Sequence, residues 1–210
     1  MADFKIHSVL GTGSAICYAA GSYFFEYVSL RRAFLGAAIF AMASVLPDLD
    51  SETGTAKRFL FDTLAVFLPA LLITQISFDT AEHTFFIILC LYLLVRYPVQ
   101  YLFEHLTTHR GIFHSIPAAC VFGLGIALLF VEAPTNIRVF YAAGCAGGYM
   151  LHLIIDEIWS FGFFGLGAKK SFGSALKLYD KSWFPTVLMY LALGALVCLI
   201  FIPDLLQKMK

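Results

Sequence analysis

Residues 144–156 read GCAGGYMLHLIID, which is typical of a helix inside a membrane bundle. The three glycines lie in an apolar segment, and small residues allow membrane helices to approach each other closely. Glycines that only add flexibility are the alternative. His152 and Asp156 follow four residues apart, so on a helix both side chains lie on one face. Ionisable groups inside a membrane segment are costly and usually functional. A metal site and a buried hydrogen bond between these two side chains both fit the pattern.

The composition of the whole chain is that of an integral membrane protein. Of its 210 residues, 60% are hydrophobic and 13% are charged, and the mean hydropathy is +0.82. Soluble domains contain about 25% charged residues. We therefore expect an all-α, polytopic membrane helix bundle, with residues 1–210 forming a single integral-membrane domain. The net charge is zero and no long basic block occurs, so no nucleic-acid partner is expected.

Runs of about 20 apolar residues predict about seven membrane segments. They extend over residues 8–28, 31–47, 59–78, 84–103, 114–131, 137–160 and 184–203. The connector at 168–182 has Phe172, Leu176 and Tyr179 at helical spacing between lysines, which fits either an amphipathic surface helix or a solvated loop. The five cysteines form no CxxC pair and are expected to be small buried hydrophobic residues.

The strong metal-ligand candidates fall at one end of these segments if the segments cross the membrane alternately. They are His7, Asp48, Asp50, His109, His114, His152 and Asp156. Four histidines and three aspartates are too many for one tetrahedral ion and suit two. Imidazole disfavours the hardest cations, so zinc or manganese is expected rather than calcium. The sequence thus predicts a metal site at one membrane face.

Two further motifs contribute to this set. HRGIFHS at 109–115 combines two imidazoles with Arg110, whose planar fork suits phosphate, and Gly111 permits a sharp turn between them. A polar loop with incidental histidines is the alternative. PDLD at 47–50 places two carboxylates after a proline that favours a turned backbone. Paired carboxylates often bridge two cations, although an exposed helix end would look similar.

The distribution of basic residues gives a prediction of orientation. The end with the candidate ligands carries nine lysines and arginines: Lys5, Lys57, Arg58, Arg96, Arg110, Lys169, Lys170, Lys177 and Lys181. The other end carries five: Arg31, Arg32, Arg138, Lys208 and Lys210. This bias favours a cytoplasmic location for the site. Basic residues that bind phosphate at the site would distort the count.

At these motifs the sequence resembles the YdjM-like family of inner-membrane proteins, which are assigned as metal-dependent hydrolases. The family pattern is an N-terminal His, PDxD, HRGxTHS and a later HLxxD, which correspond here to His7, 47–50, 109–115 and 152–156. The departure is Phe113, where the family has Thr, and this removes a hydroxyl beside the site. The order of ligands is distantly similar to that of zinc-dependent phospholipase C and P1-type nucleases.

The resemblance implies a bacterial inner-membrane enzyme that hydrolyses a phosphoester, such as one in a lipid headgroup, with a metal-activated water. Membrane lipids, including a phosphorylated lipid substrate, are the expected partners. Arg110 would orient the phosphate, Lys169 or Lys170 would assist, and Asp50 would accept a proton. A metal transporter and a metal-stabilised, non-catalytic scaffold are the alternatives. Transport is disfavoured because transporters place polar residues near the bilayer midplane.

Overall fold

The computed structural model describes residues 4–50, 54–73, 80–102, 111–160, 176–180 and 182–208. Within these residues the chain forms seven α-helices and no β-sheet, which confirms the all-α prediction. The helices are α1 (Phe4–Phe24), α2 (Leu30–Ala43), α3 (Gly54–Ile73), α4 (Ala81–Leu94), α5 (Ile116–Leu129), α6 (Thr135–Ser160) and α7 (Trp183–Lys208). A 3-10 helix (Leu46–Asp50) follows α2, and a π-helical turn (Val95–Val99) continues α4.

Each of the seven predicted segments overlaps one of these helices, but within the described residues fewer than seven are long and apolar enough to be candidate membrane spans. Three described stretches are long and apolar enough to cross a membrane: Ala81–Leu102, Thr135–Ser160 and Trp183–Ile200. The apolar helix α5 has only 14 residues, whereas a perpendicular span needs about 20. The all-α membrane bundle is therefore confirmed as the fold class, while the predicted number of seven spans is only approximate.

The chain divides into two compact units, and the expected single domain remains a prediction. The first unit comprises Met1–Pro47 and Arg110–Lys210. In this unit α6 packs against α1, α2 and α5, and α7 packs against α5. More than half of the α6 span is buried (56%), compared with 11% of the α7 span. Helix α6 is thus the central helix of this unit, as the glycines before His152 predict.

The second unit comprises Asp48–His109. Here α3 packs against α4 and against the π-helical turn that follows it. Arg96, in this turn, forms an ion pair with Asp62 of α3 and donates a hydrogen bond to Gln100. An arginine within an apolar helix is costly unless it is paired, and Asp62 provides this pairing.

Two glycines of the first unit occur where helices touch. A Cβ atom at Gly148 of α6 would overlap the carbonyl oxygen of Phe40 in α2. A Cβ atom at Gly11 of α1 would overlap the side chain of Ser44, at the end of α2. The backbones can approach this closely only because no side chain intervenes. These contacts hold α1, α2 and α6 together at the level of His152.

One expectation from the sequence is wrong. Of the five cysteines only Cys145 is buried, and the other four are exposed. Apolar helix surfaces that are exposed in a membrane protein can face lipid, so an apolar residue there need not enter the core. The sequence left a surface helix and a loop both open for the connector at 168–182, and residues 176–180 form no helix, because Lys177 forms a parallel β-bridge with Ser115. The remainder of the proposed amphipathic segment lies outside the described residues.

Candidate metal centre

Helix α6 supplies two side chains of the candidate site. His152 and Asp156 lie one turn apart on its buried face, with exposed fractions of 0% and 1%. One potential ligand atom from each of these residues and one from His114 lie within 4.8 Å of one another. The spacing of four residues thus places an imidazole and a carboxylate side by side, as the sequence predicts, and adds a second imidazole from the start of α5.

Helix α1 contributes His7, which is also buried. The Nε2 atom of His7 donates a hydrogen bond to Oδ1 of Asp156 at 3.2 Å. The His7 ring stacks on the His152 ring, with 3.7 Å between the ring centroids and 13° between the planes. The chain therefore brings together residues as distant as positions 7 and 156. We call these four side chains the His/Asp cluster: His7, His114, His152 and Asp156.

The hydrogen bonds of the histidines show which ring atoms can bind a cation. Nδ1 of His152 donates to the backbone carbonyl oxygen of Ser44 at 2.9 Å. A carbonyl oxygen can only accept, so the neutral ring carries its lone pair on Nε2. In His7 the donating atom is Nε2, which leaves the lone pair on Nδ1. This Nδ1 atom is buried and has no hydrogen-bond partner among the described residues.

His114 is positioned by a tightly bonded loop at 111–115. Its backbone N–H donates to the carbonyl oxygen of Gly111 at 3.0 Å. The Tyr149 hydroxyl donates to the carbonyl oxygen of Phe113 at 2.5 Å. Ser115 is the N-cap of α5, and its hydroxyl accepts a hydrogen bond from the N–H of Ala118 at 3.4 Å. The turn expected at Gly111 is therefore present, and the loop holds its histidine beside His152.

The donor set fits a divalent transition metal. Two imidazoles and one carboxylate whose ligand atoms lie within 4.8 Å of one another are a common set of protein ligands for zinc, and imidazole also suits other metals of the first row. A carboxylate in a buried apolar environment is costly unless it is paired or coordinates a cation. The Ser44 carbonyl and the Asp156 carboxylate each bind one ring nitrogen of a histidine, which is how metal-binding histidines are usually oriented. The cluster therefore has both the ligands and the surrounding hydrogen bonds of a metal site.

The remaining predicted site residues either belong to the second unit or lie outside the described part of the chain. Asp48 is buried in the 3-10 helix and belongs to the second unit. The side chain of Asp50 lies outside the described part of the chain. The same is true of four whole residues: His109, Arg110, Lys169 and Lys170. Their roles remain predictions.

Sequence reasoning missed two groups that position the cluster. The Ser44 carbonyl carries no sequence signal, because every residue has a carbonyl. Tyr149 could have been identified from the sequence, since it lies three residues before His152 and therefore on the same face of α6. A buried tyrosine hydroxyl needs a partner, and here the partner is the loop that carries His114.

The comparisons with known proteins concern the family of the chain. A search of curated proteins and a search of solved structures each found no match. Residues 1–203 match the sequence profile of the family described as YdjM inner membrane protein. The match includes every residue of the cluster and supports the membrane assignment. This chain belongs to the YdjM inner membrane protein family.

Proposed function

We propose that this protein is a membrane-bound, metal-dependent hydrolase that cleaves a phosphoester. The observation that supports this function is the convergence of His7, His114, His152 and Asp156 in one buried cluster with oriented imidazoles. A bound divalent cation supplies Lewis-acid stabilisation and lowers the pKa of a water molecule that it holds. Zinc or manganese fits this donor set better than calcium.

The chain's own residues have separate roles in this proposal. His152 and Asp156 hold the cation, and His7 and His114 complete the inner ligand set. Asp48, Asp50 and His109 are expected to extend the set to a second ion, as the sequence pattern indicates. Arg110 orients the phosphate by bidentate hydrogen bonds, with Lys169 and Lys170 as weaker helpers, and Asp50 accepts a proton from the attacking water.

A metal-stabilised scaffold is the second candidate, and one observation favours it. His7, His114 and His152 are exposed by 1% or less, and a closed, fully coordinated site is typical of structural zinc. A hydrolase needs an open coordination position, whereas a scaffold does not. Removal of a residue that does not bind the metal but contacts the substrate should therefore lower activity in a hydrolase and have no such effect in a scaffold.

Arg110→Ala separates the two candidates, with Arg138→Ala as a control that removes a guanidinium from the start of α6. Purified wild type and variants are compared for metal content, thermal stability and hydrolysis of a panel of phosphomonoesters and phospholipids. The hydrolase predicts that Arg110→Ala keeps its metal but loses about 10²-fold or more in turnover. Asp156→Ala loses metal and activity together. Full activity of Arg110→Ala, with failure of Asp156→Ala only by unfolding, would establish the scaffold instead.

A further inference from the structure

The Lys177 backbone pairs with the start of α5, directly after the loop that carries His114. Lys177 forms a parallel β-bridge with Ser115, and the N–H of Ile116 donates to the Lys177 carbonyl oxygen at 3.1 Å. Ser115 directly follows His114 in the chain. Backbones paired in this way lie about 4.8 Å apart. We call residues 176–180 the strap.

The position of the strap is built into the fold of the first unit. The Tyr190 hydroxyl of α7 donates to the Leu178 carbonyl oxygen at 3.0 Å. The N–H of Asp180 donates to Oγ1 of Thr186, also in α7, at 3.1 Å. Together with the bridge to α5, these bonds hold the strap at three points. The Lys177 backbone is thus fixed between two helices, next to the loop that carries His114.

The Lys177 side chain already binds an anionic oxygen. Its Nζ atom lies 2.9 Å from Oδ1 of Asp180, and the exposed fractions of the two side chains are 16% and 20%. A lysine ammonium is a compact charge on a flexible stem and can move between two anionic partners at little geometric cost. A phosphate oxygen is such a partner. The Lys177 side chain is partly exposed, so a phosphate oxygen can reach it.

Large aromatic side chains beside the strap indicate its depth in the membrane. Tyr179, Trp183 and Phe184 are exposed by 74%, 73% and 59%, respectively. Trp and Tyr are enriched where the hydrocarbon core meets the headgroups. The strap and the start of α7 therefore fit the headgroup region, which is where lipid phosphates are located.

We propose that Lys177 binds the phosphate group of the substrate beside the His/Asp cluster, and that Asp180 holds the ammonium when no phosphate is present. The proposal rests on the proposed function for the reaction, but phosphate binding can be measured without turnover. The shared chemistry is a phosphate monoester, either in a lipid headgroup or in a soluble molecule. The exposed aromatic residues favour the lipid.

The test measures dissociation constants on the full-length, zinc-supplemented protein in detergent. The probes are dihexanoyl phosphatidic acid, inorganic phosphate and the uncharged dihexanoylglycerol. Lys177→Met is expected to weaken binding of both phosphate probes about tenfold or more, because one charge-assisted hydrogen bond is lost. Asp180→Asn is expected to tighten binding of both probes, because it removes the competing carboxylate. Arg138→Met is the matched control and should bind like wild type.

An ion pair with a purely structural role would not shift the dissociation constants of Lys177→Met and Asp180→Asn in opposite directions. Such a pair would lower the melting temperature in both variants and leave both dissociation constants unchanged, and that result would overturn the proposal. If Lys177→Met does not fold, Asp180→Asn alone decides, since weaker or unchanged binding contradicts the proposal. Absence of phosphate binding by wild type overturns it as well.

The two phosphate probes also distinguish the source of the ligand. Tight binding of phosphatidic acid with weak binding of inorganic phosphate identifies the lipid, and equal affinities identify a soluble phosphate. Normal phosphate binding without hydrolysis would refute the proposed function and leave the role of Lys177 intact.

Discussion

Nδ1 of His152 donates a hydrogen bond to the carbonyl oxygen of Ser44 at 2.9 Å. Ser44 is the C-cap of α2, whereas His152 lies on α6, so this bond connects two packed helices. It fixes the ring tautomer that presents the lone pair on Nε2. The packing of α2 on α6 therefore sets the direction in which His152 can bind a cation, and small packing changes should alter metal affinity.

Gly11→Ala is expected to lower metal affinity by about tenfold, in the range found when the support of a ligand is disturbed. The added Cβ would lie 2.7 Å from Cβ of Ser44, so the end of α2 must move away from α1. Gly13→Ala is the control, because a Cβ there meets no atom within 4 Å. Zinc titration of both variants measures the effect. Adding Ser44→Gly to Gly11→Ala should restore affinity, and equal affinities in the two alanine variants would show that the contact does not matter.

Tyr149→Phe is expected to weaken metal binding and to destabilise the fold by about 1–2 kcal/mol, because the Phe113 carbonyl loses this donor. Tyr18→Phe is a matched control. The Tyr18 hydroxyl donates to the carbonyl oxygen of Phe140 at 2.6 Å, about 18 Å along α6 from His152. It should lose similar stability with unchanged zinc affinity. Chemical unfolding and zinc titration separate the two effects, and equal loss of affinity in both variants would argue against a role for Tyr149 at His114.

Removal of metal is expected to lower the thermal stability of the protein. A ligand that binds only the folded state stabilises it by about 2.7 kcal/mol at a concentration of 100 times its dissociation constant. The midpoint of thermal unfolding should therefore fall on chelation and recover with added zinc. The same treatment should have little effect on Asp156→Asn, which retains the size of the side chain but loses its charge. A chelator-sensitive midpoint in that variant would place the metal elsewhere.

The sequence was sufficient to predict the helices of the bundle and the central position of α6. The predicted number of spans is only approximate: three described helices are long and apolar enough to cross a membrane, and the 14-residue α5 is shorter than the hydrophobic segment at 114–131. The helical spacing of Leu176 and Tyr179 left both a surface helix and a loop open for the strap. Pairing of Lys177 with Ser115 is a contact between distant residues, and local periodicity contains no information about it.

The candidate site was only partly predictable, for a similar reason. His152 and Asp156 were recognised because both lie on one helical face, and His7 and His114 because ligand-type residues recur at one end of the segments. The tautomers were not predictable, since they depend on the Ser44 carbonyl and on the contact between His7 and Asp156. Such contacts exist only once the helices have packed.

The most direct test of the metal centre is the metal content of the full-length protein after purification in detergent without chelators. Elemental analysis of wild type should find zinc or manganese in stoichiometric amount, with about two ions per chain if the second ligand set also binds. His152→Ala should lose most of this metal while Gly13→Ala keeps it. Wild-type protein that is folded and contains no stoichiometric transition metal, or His152→Ala that retains the wild-type amount, would contradict the account.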